Sequence, residues 1–174
     1  LRSTRWFTVA MTVAAILAAD VAGYARLMGL DEVGTLRLLT ERRQILDDVI
    51  AERGGRIANT AGDSVLAEFP STVAAVQCAI EAQERLAKAG ERDPAERRLE
   101  FRIGVHAGDV MVRGGDLFGD GVNIAARLQT LAEPGGVCVS GAVHEHVHKV
   151  LPLRFIDLGP QVVKQSDDPV RAYQ

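Results

Sequence analysis

Two aspartates, Asp20 and Asp63, have the residue type and the surroundings expected of a metal site. Asp20 ends an apolar run that predicts a buried strand over residues 12–20, and Asp63 lies in the turn of a predicted β-hairpin. If the first strand neighbours the hairpin in the sheet, both carboxylates converge at one edge. Carboxylate oxygens at strand ends suit hard divalent cations such as Mg²⁺. The alternative is ordinary turn chemistry, because glycine and aspartate are common turn residues.

A second polar group follows later in the chain. Asn123 and Arg127 are four residues apart in a segment that predicts a helix over residues 119–131. That spacing places the amide and the guanidinium on one helix face. Taken without any resemblance to known proteins, the pair indicates an exposed helix surface.

The elements that position these residues are predicted from apolar periodicity and from turn and capping signals. We expect a first helix that ends at Gly54-Gly55, a hairpin, a second helix capped by Ser71 or Thr72, and a solvated loop over residues 91–98. A strand over residues 101–106 is expected to resume at residues 110–112. The remaining predictions are the helix over residues 119–131, strands over residues 137–139 and 154–158, and a helix between those two strands. The order β-α-β-β-α-β followed by α-β predicts a ferredoxin-like α+β fold, with a mostly antiparallel sheet and helices on one face.

Composition supports one compact unit over residues 1–174, and the first residue, Leu1, indicates a piece of a longer chain. The net charge of −3, without a basic block, argues against nucleic-acid binding and against membrane contact by this domain. Arg2 and Arg5 precede an apolar run over residues 6–19 that has features of a signal peptide. We favour a buried strand that presents Asp20, because the run continues directly into a helical pattern.

Three segments, in order, resemble class III adenylate and guanylate cyclases. ADVAGY at residues 19–24 resembles their first metal motif, and NTAGDSVLAEF at residues 59–69 resembles their second. DLFGDGVNIAARL at residues 116–128 resembles the segment with the transition-state residues. The resemblance covers nearly the whole chain and implies the cyclase fold with conversion of ATP to cyclic AMP and pyrophosphate.

The resemblance also implies roles for individual residues. Asp20 and Asp63, with the main-chain carbonyl of Val21, would bind two Mg²⁺ or Mn²⁺ ions. Asn123 matches the residue that orients the ribose. Arg127 matches the residue that stabilises charge developing on the α-phosphate, a role that suits a planar, permanently charged guanidinium.

Substrate contacts are expected from Gly23, Asn59, Asp116 and Lys164. Lys164 resembles a late phosphate-binding lysine, and a solvated surface lysine is the alternative for it. Base choice in the family depends on a lysine and an aspartate. The aspartate is present as Asp116, whereas the lysine position holds Asn59.

Hydrogen-bond chemistry favours adenine at this pair. An asparagine N–H can donate to adenine N1, and the Asp116 carboxylate can accept from N6. Guanine O6 would face that carboxylate without a donor between them, which costs about 1–3 kcal/mol. The remaining alternatives are a guanylate or relaxed-specificity cyclase, and Asn59 as a plain turn residue.

In the family, the metal aspartates and the residues that read base, ribose and phosphate come from different subunits. Resemblance therefore implies a head-to-tail homodimer with two equivalent sites. We expect a cytoplasmic domain, whose parent protein is either soluble or membrane-tethered. The alternative from another class is a non-catalytic, nucleotide-binding regulatory module, which the departure at Asn59 motivates.

Overall fold

The structure is a computed structural model that describes residues 10–163 and 170–174. Its strands are β1 (Ala10–Val21), β2 (Arg56–Ala61), β3 (Ser64–Phe69), β4 (Phe101–Arg113), β5 (Asp116–Phe118), β6 (Val137–Ser140), β7 (Asp157–Gln161) and β8 (Val170–Tyr173). Its helices are α1 (Tyr24–Leu30), α2 (Glu32–Glu52), α3 (Thr72–Ala89), α4 (Asp120–Leu131) and α5 (Gly141–Val147), with a 3-10 turn at Ala95–Arg97.

The strands form one mixed sheet in the order β2-β3-β1-β4-β6-β8-β7, and β5 also pairs with β4. Only β4 and β6 pair in parallel among the described strands. The centre is an unbroken ladder between β1 and β4, running from Ala10 opposite Val112 to Val21 opposite Phe101. The expected α+β fold, with β1 beside the β2–β3 hairpin, is confirmed.

The central strand β1 is buried on both faces, as its continuous apolar run predicts. Successive side chains of a strand point to opposite faces. One set packs with residues of α2, α3 and α5 in the largest core cluster: Ala15, Leu17, Ala19 and Val21. The other set packs with Ala125 of α4: Ala14, Ile16 and Ala18.

The expectation that all helices lie on one face is therefore wrong, because α4 covers the opposite face. Gly104 of β4 makes the close approach of this helix possible. A Cβ atom at this position would lie 2.3 Å from the Gln129 nitrogen and 2.4 Å from the Ala125 oxygen. With no side chain at Gly104, the backbone of α4 packs directly on the sheet.

Local signals located several elements correctly. The hairpin strands begin and end at the predicted residues, with Gly62 of the turn at φ 57°. Ser71 caps α3, because its side chain accepts a hydrogen bond from the Ala74 amide at 3.2 Å.

Other expectations were wrong. Strand β4 does not stop at residue 106, since residues 107–109 keep their pairing with β1. The last predicted strand, over residues 154–158, is wrong in its bounds. The strand found there is β7 (Asp157–Gln161), and it pairs with β8. Leu153 and Phe155 pack against the main core cluster instead of joining the sheet. Loop 91–98 is not merely solvated: Asp93 accepts a 2.7 Å hydrogen bond from Arg42, whose exposed fraction is 8 %.

The apolar run considered as a signal peptide is described only from residue 10 onward, where it forms β1. No helix in the described part of the chain has the length and apolar character needed to span a membrane.

Candidate functional site

Asp20 lies near the end of β1, half-buried, directly opposite Arg102 of β4. The Arg102 guanidinium donates to both carboxylate oxygens, with Nε 3.0 Å from Oδ1 and a terminal nitrogen 2.9 Å from Oδ2. This fork is the geometry in which arginine binds a carboxylate most strongly. The carboxylate is therefore held in one orientation.

Asp63 lies at the hairpin tip and reaches the end of β1. Its Oδ2 accepts a hydrogen bond from the backbone amide of Val21 at 3.0 Å. Because Val21 follows Asp20 directly, this bond brings the hairpin tip to the residue beside the other carboxylate. Strand β1 and the hairpin are neighbours as expected, and Asp63 contacts the residue that follows Asp20; a metal ion shared by the two carboxylates stays a prediction.

The donors gathered here fit a hard divalent cation. Two carboxylates and a main-chain carbonyl at Val21 supply only oxygen ligands, which Mg²⁺ and Mn²⁺ accept. The described residues contain no group of three or more histidine, cysteine, aspartate or glutamate side chains able to hold a metal. Mg²⁺ typically uses one or two protein carboxylates and completes its shell with water and substrate phosphates.

Asn59 and Asp116 meet although they are 57 residues apart. The Asn59 side-chain amide donates to Asp116 Oδ2 at 3.2 Å, and the Leu117 amide donates to Oδ1 at 2.8 Å. Asn59 is exposed on β2, and Asp116 is half-buried on β5. Both residues therefore form a single polar pair.

Arg56 supports this pair from the start of β2. It donates to the Gly115 carbonyl at 2.7 Å and to Glu68 at 2.6 Å. Gly115 precedes Asp116 and has φ 81°, a left-handed conformation that favours glycine. Arg56 thus ties β2 to the turn that carries Asp116.

Asn123 and Arg127 are both exposed on α4. At about 100° per residue, each lies about 200° around the helix from Ala125, which is fully buried against β1. Both side chains thus face away from the sheet of their own chain. Neither has a hydrogen bond or ion pair to the parts of the chain that the structure describes.

Gly23 caps the start of α1 with φ 64°, and its carbonyl accepts from the Leu27 amide at 3.1 Å. It is exposed, three residues beyond Asp20. Lys164, the expected phosphate-binding lysine, lies outside the described residues.

Two other reactive residue types are held in inert forms. His106 bonds through Nδ1 with the Ser140 hydroxyl at 2.8 Å, and burial lowers the pKa of its imidazole to about 4. Burial raises the thiol pKa to about 12 at Cys78 and to about 11 at Cys138. A neutral, packed histidine and two protonated thiols are structural residues.

Sequence reasoning missed Arg102 and Arg56. Arg102 is a cation within an otherwise mostly apolar strand segment, which is an available signal, whereas Arg56 is the first residue of a half-polar strand and gives none. Their partners are 82 and 59 residues away in the sequence, so only strand register identifies them.

Comparison with known proteins relates the chain to one family. Residues 9–173 match the family described as Adenylate and Guanylate cyclase catalytic domain. The chain is 46 % identical over 162 residues to putative adenylate cyclase 3 of Rhizobium meliloti, and 35 % identical over 130 residues to an adenylate cyclase of Streptomyces coelicolor. These matches cover 92 % and 74 % of this chain, but only 28 % and 32 % of the relatives.

A solved structure from Silicibacter pomeroyi, an adenylate/guanylate cyclase/hydrolase, is similar over almost its whole length. It superposes with a TM-score of 0.90 at 42 % sequence identity, covering 95 % of this chain and 97 % of that one.

Proposed function

The chain belongs to the adenylate and guanylate cyclase catalytic domain family, of class III type, and we propose that it converts ATP to cyclic AMP and pyrophosphate as a homodimer. The observation that carries this proposal is the hydrogen bond between Asp63 and the Val21 amide, since it joins the second carboxylate to the residue that follows Asp20.

Asp20, Asp63 and the Val21 carbonyl would hold the metal ions. Two Mg²⁺ or Mn²⁺ ions bound there would lower the pKa of the ribose 3′-hydroxyl and neutralise the triphosphate. The hydroxyl would then lose its proton to solvent, and its oxygen would form a bond to the α-phosphorus. The bond from that phosphorus to the oxygen that bridges the α- and β-phosphates would break, and pyrophosphate would leave. Asn123 would orient the ribose, and Arg127 would stabilise the charge on the α-phosphate.

The choice of ATP rests on Asn59 and Asp116. Asn59 uses one N–H on Asp116, which leaves its second N–H for adenine N1. A carboxylate that already accepts two hydrogen bonds keeps lone pairs for the adenine N6 amino group but offers no donor to guanine O6. The two relatives from Rhizobium meliloti and Streptomyces coelicolor, which are named as adenylate cyclases, support the same choice.

The orientation of α4 supports the proposed homodimer. Because Asn123 and Arg127 face away from their own sheet, they would serve a nucleotide held by Asp20 and Asp63 of the partner protomer. An exposed apolar row across β1, β4 and β5 adjoins the start of α4 and would be covered in that dimer: Met11, Met111 and Phe118. A Cβ atom at Gly119, which precedes α4, would lie 3.6 Å from the Met111 side chain.

We also propose a cytoplasmic location, because both cysteines are free and buried, as in a reducing compartment. No metal, dimer or location is needed for the family assignment itself.

The test is a product assay on the purified chain. It is incubated at high and low concentration with Mn²⁺ or Mg²⁺ and with ATP or GTP, and the products are separated by chromatography. We expect cyclic AMP from ATP, with activity per chain rising with concentration. Asp63→Asn should remove product, whereas the matched control Asp48→Asn, an exposed aspartate on α2, should retain it.

Two outcomes would favour the other candidates. Cyclic GMP as the main product would indicate a guanylate cyclase and would overturn the role given to Asp116. Metal-dependent nucleotide binding without any cyclic product, from a folded dimer, would favour a regulatory module, which Asn59 at the lysine position motivates.

A further inference from the structure

Both oxygens of the Asp20 carboxylate are bound by one cation, the Arg102 guanidinium. Both oxygens accept from it, at 3.0 and 2.9 Å, and the two side chains are only 19 % and 25 % exposed. The described residues supply no other hydrogen-bond donor to this carboxylate. Each oxygen keeps a further lone pair, but a divalent cation that binds Asp20 would share the carboxylate with a positively charged guanidinium, and this repulsion lowers the affinity for the cation.

We propose that Arg102 competes with the divalent cation for Asp20, so that metal binds by exchange with an internal cation. This inference rests on the proposed function, because it takes Asp20 as a metal ligand. Asp63 provides a contrast, since its carboxylate accepts only one neutral amide donor in the described structure. Competition is therefore specific to the Asp20 side of the site.

A purely structural role for the ion pair is poorly supported. Strands β1 and β4 are already joined by twelve consecutive residue pairs, of which Asp20 and Arg102 are one. Holding these strands together needs no further link. Because Arg102 lies directly opposite Asp20 on the neighbouring strand, its guanidinium reaches both carboxylate oxygens without extending along the strand.

The exchange has a consequence for nucleotide binding. Opening the pair leaves an unpaired guanidinium close to the incoming metal, and two cations at short distance repel each other. An anion that binds at the same time removes this penalty. Metal alone should therefore bind weakly. Metal and a triphosphate should bind cooperatively, so that each raises the affinity of the site for the other.

The experiment measures Mn²⁺ binding by electron paramagnetic resonance in the absence of nucleotide. It uses the full chain as wild type, Arg102→Met and Arg102→Lys. The methionine variant removes the guanidinium but keeps an unbranched side chain, and we expect the Kd for Mn²⁺ to fall about tenfold. Lysine keeps the charge and loses the fork, so its Kd should lie between the two.

Two controls define the signal. Arg53→Met removes an exposed pair with Glu81, away from the site, and should leave the Kd unchanged. Asp63→Asn should weaken Mn²⁺ binding, which identifies the measured ions as those at the site. Thermal unfolding of each variant checks that its fold is intact, and the lysine variant answers the question if Arg102→Met does not fold.

An unchanged or raised Kd in both folded Arg102 variants would overturn the inference. Wild-type chain that forms cyclic AMP but shows no change in Mn²⁺ affinity on Arg102 substitution would refute the exchange and leave the proposed function standing. The expected Kd changes without any cyclic product would refute the proposed function and leave the exchange standing.

Discussion

Two groups of side chains in the candidate site differ in how they are held. Asp20, Asp63, Asn59 and Asp116 each have a hydrogen-bond partner within the chain. Asn123 and Arg127 on α4 are exposed and lack such partners among the described residues. Groups held by their own chain are ordered during folding, whereas exposed groups become ordered only when something binds them. The difference agrees with the proposal that Asn123 and Arg127 act on a nucleotide held by a partner protomer.

Mixing two inactive variants gives the largest expected effect. Asp63→Ala and Arg127→Ala should each lower kcat by about a hundredfold or more, because one removes a metal ligand and the other a charge-stabilising group. In a head-to-tail dimer, one site of each mixed dimer combines an intact Asp63 from one chain with an intact Arg127 from the other. Random pairing makes about half of the dimers mixed, so the mixture should regain about a quarter of wild-type activity per chain.

The matched control mixes Asp63→Ala with Asp20→Ala, which both remove a proposed metal ligand from the same side of the site. That mixture should stay inactive, because every site lacks one metal ligand. If the first mixture also stays inactive at a concentration where dimers are present, Asp63 and Arg127 do not reach one site from different chains, and the proposed contrast between the two groups of side chains is wrong.

Gly104→Ala tests how α4 is seated. The added Cβ would lie 2.3–2.9 Å from backbone atoms of Gln129, Ala125 and Leu128, which cannot move as a flexible side chain would. We expect the free energy of unfolding to fall by about 2–3 kcal/mol, measured by urea denaturation.

Gly29→Ala is the control for that substitution. Gly29 lies in α1 with no atom within 4 Å of the added Cβ. It should leave stability unchanged or raise it by about 0.5–1 kcal/mol, because alanine favours helix. Equal stability of the two variants would show that α4 does not depend on Gly104.

Arg56→Met gives the smallest expected effect. It tests the group of side chains that are held by their own chain, through the support that Arg56 gives to Asp116. Loss of the bond to the Gly115 carbonyl should loosen the turn that positions Asp116. We expect KM for ATP to rise about threefold and the preference for ATP over GTP to narrow, with kcat little changed, since an exposed pair contributes about 0.2–1 kcal/mol. Arg43→Met, which removes an i,i+4 pair on α2, is the control. A fall in kcat alone would contradict the positioning role.

Local signals explain which elements were predictable. The hairpin and the start of α3 depend on residues a few positions apart, such as Gly62 in the turn and Ser71 at the cap. Strands β5 and β8 were missed because each is only three or four residues long. Strand β5 pairs with β4 across the Gly114-Gly115 turn, and β8 pairs with the distant strand β6. The break expected after residue 106 was wrong because pairing with β1 carries β4 through its small residues.

The sequence by itself determined the residue types and the order of the candidate site. The carboxylates of Asp20 and Asp63 and the shared helix face of Asn123 and Arg127 are predicted from residue type and spacing, whereas the roles of Asn59 and Asp116 come from the family resemblance. Those features depend on local periodicity and on the chemistry of individual side chains, which a sequence displays directly.

Tertiary structure alone decided what each of these groups touches. It placed Arg102 opposite Asp20, joined Asn59 to Asp116, and set α4 on the far face of the sheet through the close approach at Gly104. These contacts join residues far apart in the chain, and strand register and helix packing depend on the sum of many weak interactions. That is why local spacing predicted the parts of the site but not how the molecule holds them.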